Sequence, residues 1–291
     1  MTSEVGEMDA PQARAGRIVL VATPIGNLGD LSPRALAALA DADVVAAEDT
    51  RRTGRLLAHH DLDRPLVRYD DHTERGRTAH LVERAAAGEV VAVATDAGTP
   101  AISDPGYALV RAAAERGVPV ELIPGPVAAI HALVLSGLPT DRFVFEGFLP
   151  RRGSQRRARI AELAAERRTL VLYLSPHRAA EELADLAAGL GPRPAALARE
   201  LTKLHEQVLR RPLDALARAV AADGIRGELT LVVGGAPDAR PAEIDDATLV
   251  ARVRELIAAG EARNAAVAGV ARAAGVARSR VYDAVVAAAG R

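Results

Sequence analysis

The densest collection of reactive side chains in this chain lies between Thr95 and Gly106, reading Thr-Asp-Ala-Gly-Thr-Pro-Ala-Ile-Ser-Asp-Pro-Gly. It follows a β-branched apolar run and precedes an Ala-rich amphipathic stretch, so it connects a strand to a helix. A plain connection of that kind needs about two to six residues. The extra length, with Asp96, Gly98, Thr99, Pro100, Ser103 and Asp104 in it, suits a loop that cradles a ligand. Three shorter segments have the same character. Thr23–Leu28 stiffens a strand end with Pro24 and leaves room for close backbone approach at Gly26. Ala47–Arg52 sets Glu48 and Asp49 beside Arg51 and Arg52. Ile123–Pro126 carries Gly125 just ahead of an expected helix start, which would aim free N–H groups into a crevice.

Other chemistries are poorly served. There is no Cys, which removes a disulfide framework, a thiolate metal site and a thiol nucleophile together. The seven His show neither H-E-x-x-H nor another ligand spacing, so no metal site is expected. The glycine-rich loop is neither a Walker loop nor G-x-G-x-x-G, and no G-x-S-x-G elbow occurs. Asp70-Asp71-His72 is either a polar site or a solvated turn.

The loops need a frame. Residues 17–23, 43–48, 65–69, 90–96 and 119–124 read as strands, and 32–40, 74–87, 105–117 and 126–137 as helices. Ser32 before Pro33 is a good N-cap followed by Pro at the first helical position. Alternating strand and helix predicts a parallel-rich α/β sheet covered on both faces. In such a sheet ligands bind at the carboxyl ends of the strands. Residues 139–150 hold all three Phe and join the halves. A second α/β set follows, with strands at 169–175, 195–200, 206–210 and 227–235 and helices near 154–166, 178–189 and 212–222. The strands at 195–200 and 206–210 are too close in sequence for a crossover and should pair antiparallel.

The expected organisation is a disordered arm (1–16), an α/β domain (17–138), a second α/β domain (139–240) and a helical tail (241–291). A polar, Pro-containing linker runs over 236–246. In the tail, helices at 264–273 and 277–288 around Gly275 form a helix-turn-helix pattern. The opening residues carry no signal-peptide pattern, and no apolar run reaches the roughly 18 residues of a membrane span, so a cytoplasmic chain without a membrane role is expected.

Net charge is −1, yet Arg clusters locally. Between Arg151 and Arg168 stand seven Arg, including Arg151, Arg152, Arg156 and Arg157, against two acids. From Leu249 to Arg291 there are seven Arg against three acids, with Arg278 and Arg280 opening the last helix. Two basic zones on a neutral protein suit a polyanion held at chosen places; each alone also fits a solvated helix face. Lys203 is the only Lys among 36 Arg. A compact amine whose pKa can shift is one reason to keep it; a phosphate contact or chance is another.

Taken in order, T-P-I-G-N-L, A-E-D-T-R, D-A-G-T-P-x-I-S-D-P-G-Y, P-G-P, L-P-x-D-R-F-x-F-E-G-F-L-P and A-R-E-L-T-K closely resemble the ribosomal RNA small subunit methyltransferase I family, a branch of the tetrapyrrole methylases. The likeness runs from about Ile18 to Val233, and the tail resembles that family's small helical module. The resemblance implies two α/β domains with S-adenosylmethionine in the cleft between them. It also implies transfer of its methyl group to the 2′-hydroxyl of a cytidine in the decoding region of 16S rRNA, with the 30S subunit as partner and a homodimer as the assembly. By the same likeness Pro24, Gly26, Asp96, Gly98, Thr99, Pro100, Ser103, Asp104, Gly125 and Leu201 hold the cofactor. Arg51, Arg52, Arg151, Arg152, Arg156, Arg157, Arg278 and Arg280 would contact RNA. D-A-G-T-P replaces the G-x-G-D-P type loop of tetrapyrrole-modifying relatives. Leu174 stands where family members often carry an acid, which argues against proton transfer at that position.

A ribose hydroxyl is a weak acid, so a base or a cation must help it. Asp49, Glu48, Lys203 and Glu200 are the candidates; Lys203 could steady an alkoxide, or act as a base if burial depresses its pKa. Two other functions fit less well. A porphyrinoid C-methyltransferase needs neither basic zone, and a non-catalytic ribosome-assembly factor needs no crevice loops.

Overall fold

The computed structural model describes residues 15–237 and 244–289. The expected arm lies outside these, apart from Ala15 and Gly16, as does 238–243 of the expected linker. The chain divides into two compact units, Met1–Ala236 and Pro237–Arg291.

The first unit holds two sheets. Strands β1 (Arg17–Val21), β2 (Val44–Ala47), β3 (Leu66–Arg68), β4 (Val90–Ala94) and β5 (Val120–Ile123) form a sheet in the order β3-β2-β4-β1-β5. All its pairings are parallel. Its helices are α1 (Pro33–Asp41), α2 (Thr50–His59), α3 (Glu74–Ala86) and α4 (Tyr107–Glu115). Ile18, Leu20, Val91 and Val93 pack on one face with α3 and α4. Val19, Val21, Ala92 and Ala94 pack on the other with α1 and α2. Burial on both faces explains why these strands are unbroken apolar runs. Ser32 caps α1, accepting the Ala35 N–H at 3.1 Å.

Neighbouring β1 and β4 leave the sheet in opposite directions, to α1 on one face and α4 on the other. The strand order reverses there, and the two connections part to leave a crevice at the strands' carboxyl ends.

Next come α5 (Ala128–Ser136), β6 (Phe143–Phe148), α6 (Gly153–Leu163), β7 (Thr169–Leu174), α7 (Ala179–Leu190), β8 (Pro194–Arg199), β9 (Gln207–Pro212), α8 (Leu213–Asp223) and β10 (Leu229–Val233). They build a mixed sheet, β6-β7-β10-β8-β9, in which β6 and β7 are parallel and the other pairs antiparallel. Leu170, Leu172, Leu197 and Leu231 pack under α6, α7 and α8.

The other face is covered by α5, whose Ala129, Ala132 and Leu133 pack on Val171, Ala198 and Val232. This corrects the boundary expected at residue 138. Helix α5 follows the first sheet in sequence but closes the core of the second. Residues 139–150 are likewise more than a connector, because they supply the edge strand β6.

Arg156 has no exposed side-chain surface; it donates to Asp185 at 2.7 Å and to Glu181 at 2.5 Å, clamping α6 to α7. Its expected role in contacting RNA is therefore incorrect. With Ile160 and Leu163 it forms the inward face of α6.

The second unit is three helices, α9 (Asp246–Ala258), α10 (Arg263–Ala274) and α11 (Arg278–Ala289), one more than the two individually expected. Leu249, Val253, Val267, Val270 and Val281 form its core. Gly275, at φ +63°, ends α10 in the left-handed conformation that turns the chain into α11. No helix among the described residues is long and apolar enough to cross a membrane.

Candidate active site

The crevice is tied at its base by a single bridge. Thr23 and Gly98 exchange backbone hydrogen bonds of 2.8 and 3.1 Å, and the Thr23 hydroxyl donates to the Thr95 carbonyl. Beyond the bridge the long loop is strained. Ala101 and Ser103 stand at φ +69° and +63°, and on the facing loop of the second sheet Glu200 and Thr202 stand at +50° and +65°. Each such non-Gly residue costs about 1–3 kcal/mol, and such strain concentrates at functional sites.

Between these loops lies a cavity of about 440 Å³. The first sheet contributes Glu48, Arg52 and Asp96–Thr99 with Ser103 and Asp104. The second contributes Phe148, Tyr173–Pro176, Leu201 and Glu228–Thr230. The volume suits a small organic ligand.

Three acids, Glu48, Asp96 and Asp104, stand on the first-sheet wall among Ile25, Ile102 and Val127. Asp96 accepts the Asp49 backbone N–H at 3.1 Å and the Arg52 guanidinium at 2.9 Å; its own N–H donates to Glu48 at 3.1 Å. Burial raises the Glu48 pKa above the usual carboxylate range. The Asp96 N–H that it accepts opposes this, while the Asp96 and Asp71 charges add to it. Asp104 makes no hydrogen bond or ion pair among the described residues. Burial first, then the charges of Glu48, Asp96 and Asp71, push it up to about 7. Three separate strand-to-helix connections thus bring four carboxylates into one field, opposed by Arg52.

The second-sheet wall is aromatic. Tyr173 stacks edge-on with Phe145, ring centroids 5.2 Å apart, and Phe148 lies 5.4 Å from it. A bulge in β6 between Phe145 and Gly147 permits this approach. At Gly147, φ +68°, a Cβ would come within 3.2 Å of the Ser103 hydroxyl, so the glycine lets the two walls meet.

The residues singled out from sequence are only partly brought together. Glu48, Asp96, Gly98, Thr99, Ser103, Asp104, Leu201 and Arg52 line the cavity. Pro24, Gly26, Pro100 and Gly125 do not. Pro24 lines a neighbouring pocket of about 250 Å³. Gly26 lies beneath Lys203, and Gly125 packs on Ala22.

Asp49 points away from the cavity role given to it. It caps α2 through the Arg51 N–H and pairs with the Arg51 guanidinium, which hold its carboxyl down at about 2. That is too acidic for a base at neutral pH. Lys203 bridges Glu200 at 3.0 Å and Glu228 at 3.1 Å. Burial alone would lower its pKa, but these two partners hold it above the ordinary value, the opposite of the depression a basic role would use. Glu200 is held low by the Glu228 N–H and Lys203.

Sequence reasoning passed over Tyr173, Phe148, Glu228 and the basic potential of Asp104. A usable signal was the confinement of all three Phe to Phe143–Phe148 in a chain that is 2% aromatic.

The residues present fit a cationic nucleoside cofactor. Carboxylates of suppressed acidity face a cavity whose opposite wall offers Tyr173, Phe148, Leu201 and Leu229 for a planar base. Comparison with known proteins agrees. Residues 17–217 match the family model of the tetrapyrrole (corrin/porphyrin) methylases. The ribosomal RNA small subunit methyltransferase I of Mycobacterium tuberculosis H37Rv is 50% identical over 276 residues, 94% of this chain and 95% of that protein. Its counterpart in Synechocystis is 45% identical over 270 residues, 92% and 96% of the two chains. Among solved structures, uroporphyrin-III C-methyl transferase from Thermus thermophilus, complexed with S-adenyl homocysteine, superposes with a TM-score of 0.54 at 24% identity. It covers 75% of this chain and 97% of that one.

Proposed function

The chain belongs to the ribosomal RNA small subunit methyltransferase I family of the tetrapyrrole methylases, and from that premise we propose that it methylates the ribose 2′-hydroxyl of a cytidine in the decoding region of 16S rRNA. The observation that carries this reading is the carboxylate-walled cavity between the two sheets. Its cofactor is S-adenosylmethionine, which when bound supplies a methyl group on a positively charged sulfur, open to in-line displacement.

The chain's own residues do the rest. Asp96, Glu48, Gly98 and Leu201 would hold the cofactor, with Tyr173 and Phe148 against its planar base. Asp96 is fixed for this by Arg52 and by the Asp49 N–H. Asp104 receives the hydroxyl proton. It faces the cavity without a competing partner, and its pKa of about 7 suits proton transfer near neutral pH. Glu48 is the second carboxylate of raised pKa there and keeps Asp104 basic by its charge. Lys203 acts as a fixed cation beside Glu228.

RNA is held by exposed cations. Arg51 reaches outward beside the cavity. Arg151 and Arg152 flank the start of α6, Arg157 lies on its open face, and Arg278 and Arg280 open α11. The chain works in the cytoplasm on the 30S subunit as a homodimer, for which the outward Ile130 and Val134 of α5 offer an apolar contact.

The test is transfer of a tritiated methyl group to 30S subunits lacking the modification, followed by mapping of the labelled nucleotide. Label on a cytidine 2′-oxygen is expected. Label on a base, on a porphyrinoid substrate or nowhere would overturn the proposal.

A further inference from the structure

A second pocket, of about 250 Å³, adjoins the cofactor cavity and shares the Arg52–Asp96 ion pair with it as a common wall. Its lining is of another kind: Pro24, Leu28 and Leu56 give apolar faces, and Arg55 gives a cation. Leu28 is 47% exposed on the short 3-10 turn after β1, so its apolar side chain is open to a ligand beside the site.

We propose that this pocket receives the base of an unstacked pyrimidine nucleotide, with the ribose at the shared Arg52–Asp96 wall and the flanking phosphates on Arg51 and Arg55. The inference rests on the 2′-O-methylation reading above.

The first argument is one of space. A cofactor built of a nucleoside and an amino acid uses most of the larger cavity, so the acceptor needs room of its own. The second is reach. A stacked nucleotide cannot place its ribose inside a crevice, and enzymes acting on nucleic acid extrude the target and hold its base between apolar faces. The volume is ample for one nucleobase, and the pyrimidine follows from the cytidine reading. The third is charge. Arg51, Arg52 and Arg55 stand at i, i+1 and i+4 of α2, and Arg51 and Arg55 are exposed. They edge an apolar floor with arginines, Arg51 held by Asp49, Arg52 by Asp96 and Arg55 without an ion pair among the described residues. This matches a nucleotide in an RNA strand and not a free porphyrinoid polycarboxylate, whose charges surround a broad macrocycle. Within T-P-I-G-N-L, Pro24 and Leu28 then face the acceptor while Ile25 lines the cofactor cavity, which accounts for the absence of Pro24 from the latter.

Two variants test this: Leu56→Phe, which fills the pocket, and Leu28→Ser, which strips one wall at an exposed position. Both are assayed for S-adenosylmethionine affinity by calorimetry and for single-turnover methyl transfer to unmodified 30S subunits. The expected result is cofactor affinity within about twofold of wild type and a transfer rate lower by roughly tenfold or more, the scale of a lost base contact. Wild-type rates in both variants would overturn the pocket assignment while leaving the methylation reading intact. Cofactor affinity falling in step with rate in both variants would also overturn it, by making the pocket part of the cofactor site. Failure of wild type to label any ribose would instead remove the methylation reading, and the pocket's occupant with it.

Discussion

Lys203 lies across Gly26: a Cβ on Gly26 would stand 2.9 Å from Lys203 Cε and 3.0 Å from the Thr202 hydroxyl. A glycine of the first half thus seats the chain's only lysine, whose ammonium then reaches Glu200 and Glu228. Gly26→Ala should displace that side chain and destabilise the protein by about 1–3 kcal/mol, as overpacking does. In a Lys203→Ala background the same change should cost less, because the obstructing side chain is gone. A coupling of at least about 0.5 kcal/mol in denaturant unfolding is expected; strict additivity would show that the contact is slack.

The Asp104 carboxyl sets a pH signature. Its folded-state value of about 7 lies above that of the unfolded chain, so the folded protein binds more protons between about pH 4 and pH 7. This group's contribution therefore becomes less favourable as pH rises through that window and stays level above it. Asp104→Asn should melt close to wild type near pH 4.5 and progressively above it toward pH 8. If Asp104 accepts the hydroxyl proton, wild-type kcat/KM should climb with pH through an apparent pKa of about 7. The variant should lose that limb together with roughly 10²–10⁴-fold in rate. A normal pH–rate profile in the variant would transfer the role to Glu48.

Arg156 and its neighbours on α6 should separate stability from RNA binding. Removing the Arg156 guanidinium leaves Asp185 without its 2.7 Å partner. Arg156→Ala should cost about 2–4 kcal/mol of stability, near the range for breaking a buried pair. Arg151→Ala and Arg152→Ala should leave the melting temperature within a degree or two. Each should flatten the salt dependence of 30S binding by roughly 0.7–0.9 in log–log slope if it touches a phosphate. Thermal melts and binding at three salt concentrations would distinguish the two classes.

In the second unit the two Arg opening α11 differ. Arg280 donates to Asp246 at 3.3 Å and to the Ile244 carbonyl at 3.0 Å, holding the start of α9; the Arg278 side chain has no partner among the described residues. Arg278→Ala should flatten the salt slope of 30S binding by roughly 0.7–0.9 without changing stability. Arg280→Ala should also loosen the unit by up to about 1 kcal/mol, read as faster amide exchange at the start of α9. An unchanged slope for Arg278→Ala would take the phosphate contact away from α11.

Much of the first sheet was legible because its central strands, buried on both faces, are continuous apolar runs, and because the 95–106 loop is too long and too polar for a simple turn. Strand β6 was not, since Gly147 breaks its alternation at a bulge. Helix α2 was obscured by three Arg and by Gly54 in its middle. The inward turn of Arg156 lay in the 156, 160, 163 spacing it shares with Ile160 and Leu163, but a run of Arg hides such a stripe. The behaviour of Asp104 was beyond reach of any local pattern, because its burial is set by the fold and the charges of Glu48 and Asp71 reach it from two connections far away in sequence, beside that of its loop neighbour Asp96.

The placement of α5 has a consequence for how the molecule comes apart. Ala129, Ala132 and Leu133 belong in sequence to the first half and in packing to the second, and Ile25 and Leu201 join the same cluster. A cut at residue 138 would strip the second sheet of the helix that covers Val171, Ala198 and Val232, while a cut before Ala128 would leave Ile25 bare on the first. Neither half is a self-sufficient folding unit. Residues 15–237 should therefore unfold in one cooperative step, and fragments divided at either point should recover structure only when mixed.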